Sequence, residues 1–177
     1  MIRLHSIGVR VYYEDTDAGG IVYYANYLRY FERARTDWLR AAGISQQALA
    51  DAEGLNLVVR DCAVQYLRPA RLDDLLQVEV SLAAPATDMG RASLRLTQRA
   101  LLVDEAAEST GGPERVLATG TVRVACLDRC SGRPAPLPPR ILQLLAEQVG
   151  SGSSQVTGSP QQQHFTRVMT DGIAEQQ

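Results

Sequence analysis

Residues 11–28 read VYYEDTDAGGIVYYANYL, and within this stretch the chain changes from one periodicity to another. Apolar residues alternate with polar ones from Ile7 to Tyr13, which predicts a strand with one buried face. Two aspartates and two glycines then occur within residues 15–20. Aspartate side chains can bond nearby backbone amides, and glycines tolerate positive φ, so this composition is typical of a turn. The stretch therefore predicts a strand, a turn and the start of a helix.

Helical periodicity follows this turn. An apolar stripe at helical spacing consists of Tyr27, Phe31, Ala34, Trp38 and Ala41. The opposite side carries charged residues such as Glu32 and Arg33, which we interpret as a solvated face. Asn26 is expected to cap the start, and Gly43 is expected to end the helix. The pattern predicts a long amphipathic helix laid against an apolar surface.

After a shorter helix predicted over residues 45–52, alternation with a period of two dominates the chain. It predicts strands at residues 62–67, 76–82, 93–102 and 121–126. Cys62 and Cys126 fall on faces that this alternation predicts to be buried.

The acidic residues 104–114 contain Gly-Gly-Pro and predict a long hairpin loop, and a short last helix is predicted over residues 141–149. A strand, one long helix and then consecutive strands are typical of an α+β domain, which we place at residues 1–149. The tail, 150–177, is rich in Ser, Gly and Gln, so we expect it to be disordered.

Composition narrows the class of protein. A formal net charge of −2 argues against binding to nucleic acid through overall electrostatics. No apolar run approaches the roughly 18 residues that span a bilayer, and the first residues do not resemble a secretory signal. The 3 cysteines form no CxxC pair, which favours a reducing compartment, and His and Cys show no metal-ligand spacing. We therefore expect a cytoplasmic protein without a metal.

Residues 11–28 resemble the signature of the 4-hydroxybenzoyl-CoA thioesterase family, and the chain is most similar to its Tol–Pal-associated acyl-CoA thioesterases. Residues 31–36 (FERART), 66–74 (YLRPARLDD) and 132–138 (GRPAPLP) match the same branch in register. The resemblance covers about residues 7–149. It implies a hotdog fold, an antiparallel sheet wrapped around one long central helix, which hydrolyses acyl-CoA to CoA and a carboxylic acid.

The resemblance places the catalytic carboxylate at Asp17 and one oxyanion donor at the backbone N–H of Tyr24. Thioester hydrolysis needs a carboxylate that attacks the carbonyl or activates water, together with donors for the developing oxyanion. The start of a helix offers unpaired N–H groups and a positive dipole end. Gly19 and Gly20 would let the substrate approach the backbone closely, whereas Asp15 is interpreted as a turn former.

Tyr24 departs from the Tol–Pal-associated branch, in which a His commonly stands at this position. Tyr here resembles the 4-hydroxybenzoyl branch, and His5 and His164 both lie outside the motif. The choice between an aliphatic and an aromatic acyl group therefore stays open.

Arg68 and Arg91 are predicted to bind the phosphates of CoA, because guanidinium groups match phosphate geometry. No cofactor is expected, since coenzyme A is part of the substrate. The resemblance also implies a homo-oligomer, a dimer of dimers in which each site takes Asp17 and the helix start from different chains. It further implies peripheral association with Tol–Pal or lipid-synthesis proteins at the inner membrane.

Two other functions stay open. A hotdog hydratase or dehydratase would need an acid–base pair, usually including His, and none stands near Asp17 in the sequence. A non-catalytic scaffold or binding protein of the Tol–Pal envelope machinery could keep the fold without turnover.

Overall fold

The computed structural model describes residues 2–82, 90–103 and 114–152. Strand β1 (Ile2–Arg10) is followed by a single 3-10 turn (Tyr13–Asp15) and the helices α1 (Asn26–Ala41) and α2 (Gln46–Glu53). Strands β2 (Leu55–Tyr66), β3 (Leu75–Leu82), β4 (Ser93–Leu102) and β5 (Arg115–Asp128) come next, and helix α3 (Pro139–Gly152) closes the described chain. The predicted α+β order of elements is confirmed.

The strands form one 5-stranded sheet in the order β1-β3-β4-β5-β2, and every neighbouring pair is antiparallel. Consecutive strands β1 and β2 therefore lie at opposite edges, and the connection through α1 crosses one face of the sheet. Helix α1 packs against β1, β3 and β4. A curved antiparallel sheet around one central helix is the predicted hotdog fold.

The apolar face of α1 anchors this packing. Tyr27, Phe31, Ala34 and Trp38 are buried as predicted, whereas Ala41 is exposed because the helix has reached its last residue. Opposite them, β3 contributes side chains that are completely buried, Leu76, Val78 and Val80. Burial of one such side chain contributes about 1.5–3 kcal/mol, so this contact holds the helix on the sheet.

The predicted cap of α1 was wrong. Asn26 is the first helical residue rather than the N-cap, and its buried side-chain amide donates to the carbonyl oxygen of Asp15 at 2.9 Å. The amide therefore joins the preceding turn to the helix instead of capping a helical N–H. Gly43 follows the helix with a φ of 73°, as its role as a stop requires.

Strand β2 differs most from its predicted environment. It lies at a sheet edge, and Cys62 is exposed in the single chain, whereas Cys126 on the inner strand β5 is buried as predicted. Alternation cannot reveal that a strand lacks a neighbour on one side.

Helix α3 runs to Gly152, past the predicted end at Val149. Most of the predicted 104–114 loop and the tail after residue 152 lie outside the described residues. None of the helices in the described ranges has the length and apolar character needed to cross a bilayer.

Candidate active site

The residues between β1 and α1 fold back on themselves and place Asp17 on a tight turn. Thr16 and Val22 pair as an isolated antiparallel bridge, and the Asp17 N–H donates to the Ile21 carbonyl at 3.0 Å. The Gly20 N–H donates to the Asp17 carbonyl at 2.9 Å, with Gly20 at a φ of 69°. Asp17 therefore stands exposed on a backbone loop that is internally hydrogen-bonded.

The carboxylate of Asp17 has a defined orientation. Its Oδ1 accepts a hydrogen bond from the backbone N–H of Gly19 at 2.8 Å. A carboxylate held in this way stays accessible to a substrate while its rotation is restricted, which suits a nucleophile or a general base.

Two hydrogen bonds join this turn to the start of α1. The carbonyl of Asp15 accepts from the Tyr23 N–H at 2.9 Å and from the Asn26 side chain at 2.9 Å. The Asp15 carboxylate is buried and accepts from the Tyr12 N–H at 2.9 Å, the behaviour expected of a turn former. Asp15 therefore organises the turn, and Asp17 is its exposed carboxylate.

Asp17 and the start of α1 belong to one short segment of the chain, and the expectation that each site takes them from different chains stays a prediction. Both Tyr24 and Asp17 influence the pKa of the Tyr23 phenol. A hydrogen bond and the charge of Tyr24 raise the pKa of Tyr23, and the Asp17 charge contributes further in the same direction.

Tyr24 directly precedes Ala25, which occupies the N-cap position of α1. In the described part of the chain, the Tyr24 N–H has no hydrogen-bond acceptor, as is usual for amides at a helix start. The Tyr24 carbonyl accepts a hydrogen bond from the Tyr66 hydroxyl at 3.1 Å. This bond ties the backbone at Tyr24 to the end of β2.

Four tyrosine rings form a wall beside the turn. The ring centroids of Tyr23 and Tyr24 are 4.6 Å apart, those of Tyr24 and Tyr66 are 6.2 Å apart, and those of Tyr27 and Tyr66 are 5.6 Å apart. Tyr24, Tyr27 and Tyr66 line a surface cavity of about 390 Å³. In the sequence, Tyr66 stood out only as the first residue of the segment 66–74 that resembles the family. Nothing in the sequence indicated its contact with Tyr24.

Arg68 lies close to this wall and also lines the 390 Å³ cavity. Its backbone N–H donates to the Leu117 carbonyl at 3.0 Å, and its guanidinium donates to the Val116 carbonyl at 2.9 Å. The structure therefore brings Arg68, Gly19, Gly20 and Tyr24 to the same end of the sheet as Asp17.

Arg91 is separated from these residues. It precedes β4 and accepts a backbone hydrogen bond from Leu137 at 3.0 Å, whereas the site lies where β2 ends and β3 begins. Strand β4 has 10 residues, so about 30 Å of strand separates its two ends. Within one chain Arg91 therefore lies far from Arg68, and its binding to CoA stays a prediction.

A groove runs along α1 from its first turn. Its wider part, about 470 Å³, is lined by Leu28 and Phe31 of α1 and by Val59, Val64 and Val122 of the sheet. Glu32, interpreted from the sequence as solvated, also lines this groove. The described residues include no cluster of His, Cys, Asp or Glu suited to hold a metal ion.

Comparison with known proteins identifies the family of this chain. Residues 11–145 match the family described as the thioesterase-like superfamily. The acyl-CoA thioester hydrolase YbgC of Escherichia coli O6:H1 is 46% identical over 134 residues, which cover 76% of this chain and 90% of that protein. The acyl-CoA thioesterase YbgC of Haemophilus influenzae is 40% identical over 136 residues, covering 77% and 90%.

A solved structure of a probable thioesterase also resembles this chain. The crystal structure of a probable thioesterase from Bartonella henselae is 33% identical and superposes with a TM-score of 0.60, covering 76% of this chain and 98% of that one. The family match extends over most of the chain and includes the turn that carries Asp17. The chain belongs to the thioesterase-like superfamily.

Proposed function

We propose that this protein is an acyl-CoA thioester hydrolase in which Asp17 is the catalytic carboxylate. The observation that carries the proposal is the position of its carboxylate, held by the Gly19 N–H at 2.8 Å beside the start of α1. Relatives named as acyl-CoA thioester hydrolases, 46% and 40% identical, support the substrate class. The products are free CoA and a carboxylic acid.

In the proposed reaction, the thioester carbonyl lies between the Asp17 carboxylate and the Tyr24 N–H. Asp17 either attacks the carbonyl carbon, giving a mixed anhydride that water then hydrolyses to the acid and free Asp17, or removes a proton from a water that attacks the carbonyl carbon; both routes expel the CoA thiolate. The Tyr24 N–H stabilises the oxyanion, helped by the positive end of the α1 dipole. The Tyr66 hydroxyl, bonded to the Tyr24 carbonyl at 3.1 Å, fixes the backbone that carries this donor.

Arg68 is proposed to bind a phosphate of CoA, because it lies beside the tyrosine wall at the end of β2. Gly19 and Gly20 keep the turn free of side chains where the pantetheine arm approaches. Arg91 lies at the other end of β4, so it can serve this site only from a second chain.

Assembly is part of the proposal. Strand β2 is a 12-residue sheet edge, and edges of that length in stable proteins are normally covered. Tyr66 and Leu67, at and just after the end of β2, are large apolar side chains that are 48% and 52% exposed. We propose that two chains join along β2 and that two such dimers form a tetramer. Association with Tol–Pal or lipid-synthesis proteins stays a prediction.

Thiol release from a panel of acyl-CoAs, compared between wild type and Asp17→Asn, tests the function. The panel includes short-chain, long-chain and hydroxybenzoyl thioesters. Loss of the carboxylate should lower kcat at least about a thousandfold, as expected for a group that acts directly in the chemical step. Thiol release that is equal in the variant would exclude Asp17 as the catalytic group.

The two alternative functions give different results in the same assay. A hydratase would add water to an enoyl thioester without releasing thiol, and the structure places His5 beside Asp37 at 3.1 Å, away from Asp17. A binding protein would release no thiol from any substrate, so complete inactivity of wild type would favour the scaffold function.

A further inference from the structure

The groove along α1 consists of two cavities in series. The outer one, about 470 Å³, begins at Leu28 in the first turn of α1, and the inner one, about 100 Å³, reaches Trp38 and Leu39. From residue 28 to residue 39 the helix rises by about 16 Å. Val64, which also lines the outer cavity, precedes Tyr66 of the tyrosine wall by two residues on β2, so the outer cavity begins next to that wall.

The boundary between the cavities is formed by the residues that line both of them: Glu32, Arg35 and Val59. Val59 belongs to β2, and the two charged residues belong to α1. The rest of the groove is lined mainly by apolar side chains, including Phe31 and Val122 in the outer cavity and Leu57 and Leu94 in the inner one. Arg29 and Arg33 also line the outer cavity, but both are exposed, and of these three arginines only Arg35 lines both cavities.

Arg35 is held in this position from the sheet. Its Nη1 donates to the side-chain oxygen of Gln98 at 2.7 Å. The Gln98 amide in turn donates to the Phe31 carbonyl at 2.8 Å, and only 2% of Gln98 is exposed. The buried Gln98 amide thus uses both its oxygen and its nitrogen in hydrogen bonds, and these bonds fix the Arg35 guanidinium between α1 and β4.

Arg35 stays charged although it is partly buried. Burial lowers the pKa of Arg35, while the nearby Glu32 carboxylate partly opposes this effect. An arginine in a protein nevertheless stays protonated at neutral pH. A methylene chain that passed Arg35 would have to displace the guanidinium or remove more of its remaining hydration, and both are unfavourable.

We propose that Arg35, positioned by Gln98, is a specificity-determining residue that ends the acyl site at the outer cavity and so restricts the enzyme to short or compact acyl groups. This inference rests on the proposed thioester hydrolysis. From residue 28 to residue 35 the helix rises by about 10 Å, which is the length available to the acyl group. The inner cavity is then closed to substrate in the wild type.

The test measures kcat/KM for straight-chain acyl-CoAs from acetyl to palmitoyl with wild type and Arg35→Met. Methionine keeps the length of the side chain without the charge and can move aside. Each methylene that newly enters the inner cavity should raise kcat/KM about fourfold, so the optimum shifts to longer chains. The ratio of kcat/KM for dodecanoyl-CoA to that for acetyl-CoA should therefore rise in Arg35→Met.

Two variants serve as controls. Arg40→Met removes an exposed arginine from the same helix that lines neither cavity, so its chain-length profile should equal that of wild type. Arg35→Lys keeps a positive charge at the boundary and should keep the short-chain profile. If Arg35→Met fails to fold, as judged by circular dichroism, Arg35→Gln replaces it, since glutamine can still bond Gln98.

The outcomes separate this inference from the proposed function. A profile in Arg35→Met that matches wild type would overturn the chain-length stop while leaving hydrolysis intact. A wild-type preference for chains ending in a carboxylate, lost in Arg35→Met, would also overturn it, because Arg35 would then bind substrate. If wild type released no thiol at all, calorimetric affinities for the same acyl-CoAs would decide, and tighter binding of long chains by Arg35→Met would support the stop.

Discussion

The backbone N–H of Gly19 donates to Oδ1 of Asp17 at 2.8 Å, and a Cβ atom added to Gly19 would lie 3.0 Å from that same oxygen. A side chain at the donor would therefore crowd the carboxylate that this contact orients. Gly19 does not have a positive φ, so an L-residue can adopt its backbone conformation. The requirement for glycine at this position comes from the carboxylate and not from the turn.

Gly19→Ala should consequently reduce the rate more than the stability. The methyl group pushes the Asp17 carboxylate out of line with the thioester, and small misplacements of a reacting group are costly. We expect kcat to fall about tenfold to a hundredfold, with a melting temperature close to that of wild type. Steady-state thiol release and calorimetric unfolding measure the two quantities.

Gly20→Ala provides the matched comparison. Gly20 has a φ of 69° with no atom within 4 Å of an added Cβ, so alanine there strains the backbone without touching Asp17. It should destabilise the protein by about 1 kcal/mol and lower kcat less than Gly19→Ala does. The reverse ranking of the two variants in kcat would argue against the proposed role of Gly19.

The Tyr24 peptide gives a prediction that separates backbone from side chain. Tyr24→Phe keeps the N–H and should change kcat less than about threefold, whereas Tyr24→Pro removes the donor and should lower kcat about 100- to 1,000-fold. Circular dichroism checks that the proline variant is folded. Equal activity of the two variants would mean that the oxyanion is bound elsewhere.

Tyr66→Phe tests whether the hydroxyl of Tyr66 positions this peptide. The variant loses the hydrogen bond to the Tyr24 carbonyl but keeps the ring contacts with Tyr24 and Tyr27. A hydrogen bond of this kind is worth about 0.5–1.5 kcal/mol, so kcat should fall about two- to tenfold while KM is retained. A rise in KM at constant kcat would instead assign the hydroxyl to substrate binding.

The sequence predicted those features that depend on neighbouring positions. The strand, the Asp–Gly turn and the helix at residues 11–28 follow from local periodicity and turn chemistry, whereas the roles of Asp17 and Tyr24 rest on the motif and stay predictions. Pairings between distant segments were not predicted. Tyr66 with Tyr24 and Arg35 with Gln98 depend on how β2 and β4 meet α1, and no pattern in one strand encodes its partner.

Two errors illustrate the same limit. Asn26 fits a local capping pattern, but its side-chain amide donates to the carbonyl of Asp15 instead. This acceptor lies 11 positions earlier in the sequence, and the fold brings it close. Cys62 fits an alternating strand, but β2 has a neighbour on one side only. In both cases, contacts between segments that are distant in the sequence determined the environment of the residue, and the local sequence pattern does not contain those contacts.

Gly120 should be needed for stability, because a side chain at this position would collide with the ring of Phe31, which lines the same cavity. A Cβ at Gly120 would lie 2.8 Å from Cε2 of Phe31, a ring held between helix and sheet. Gly120→Ala should destabilise the protein by about 1–3 kcal/mol in urea unfolding, the usual cost of overpacking a core. At Gly8, another strand glycine, the nearest atom would be 3.9 Å away, so Gly8→Ala should be tolerated; similar losses in both variants would point to strand backbone effects instead.

Tyr30 combines a buried ring with an unsatisfied hydroxyl. The side chain is 0% exposed, and within the described residues its hydroxyl finds no hydrogen-bond partner of good geometry. Burial, and after it the charge of the Asp15 carboxylate, raise the pKa of Tyr30 well above the ordinary value of 10.0. The folded protein therefore keeps this proton at pH values where the unfolded chain has lost it.

Tyr30→Phe should for this reason alter the alkaline stability in a predictable direction. In wild type, Tyr30 lowers the free energy of unfolding by about 1.4 kcal/mol for each pH unit above 10, since only the unfolded chain releases the proton. The variant lacks this contribution, and the sequence contains no lysine that would titrate in the same range. Near pH 7, removal of the unpartnered hydroxyl should leave stability unchanged or raise it by about 1 kcal/mol. Urea unfolding at pH 7 and pH 11 measures both effects. A stability difference between variant and wild type that is the same at both pH values would show that Tyr30 ionises equally in the folded and unfolded states.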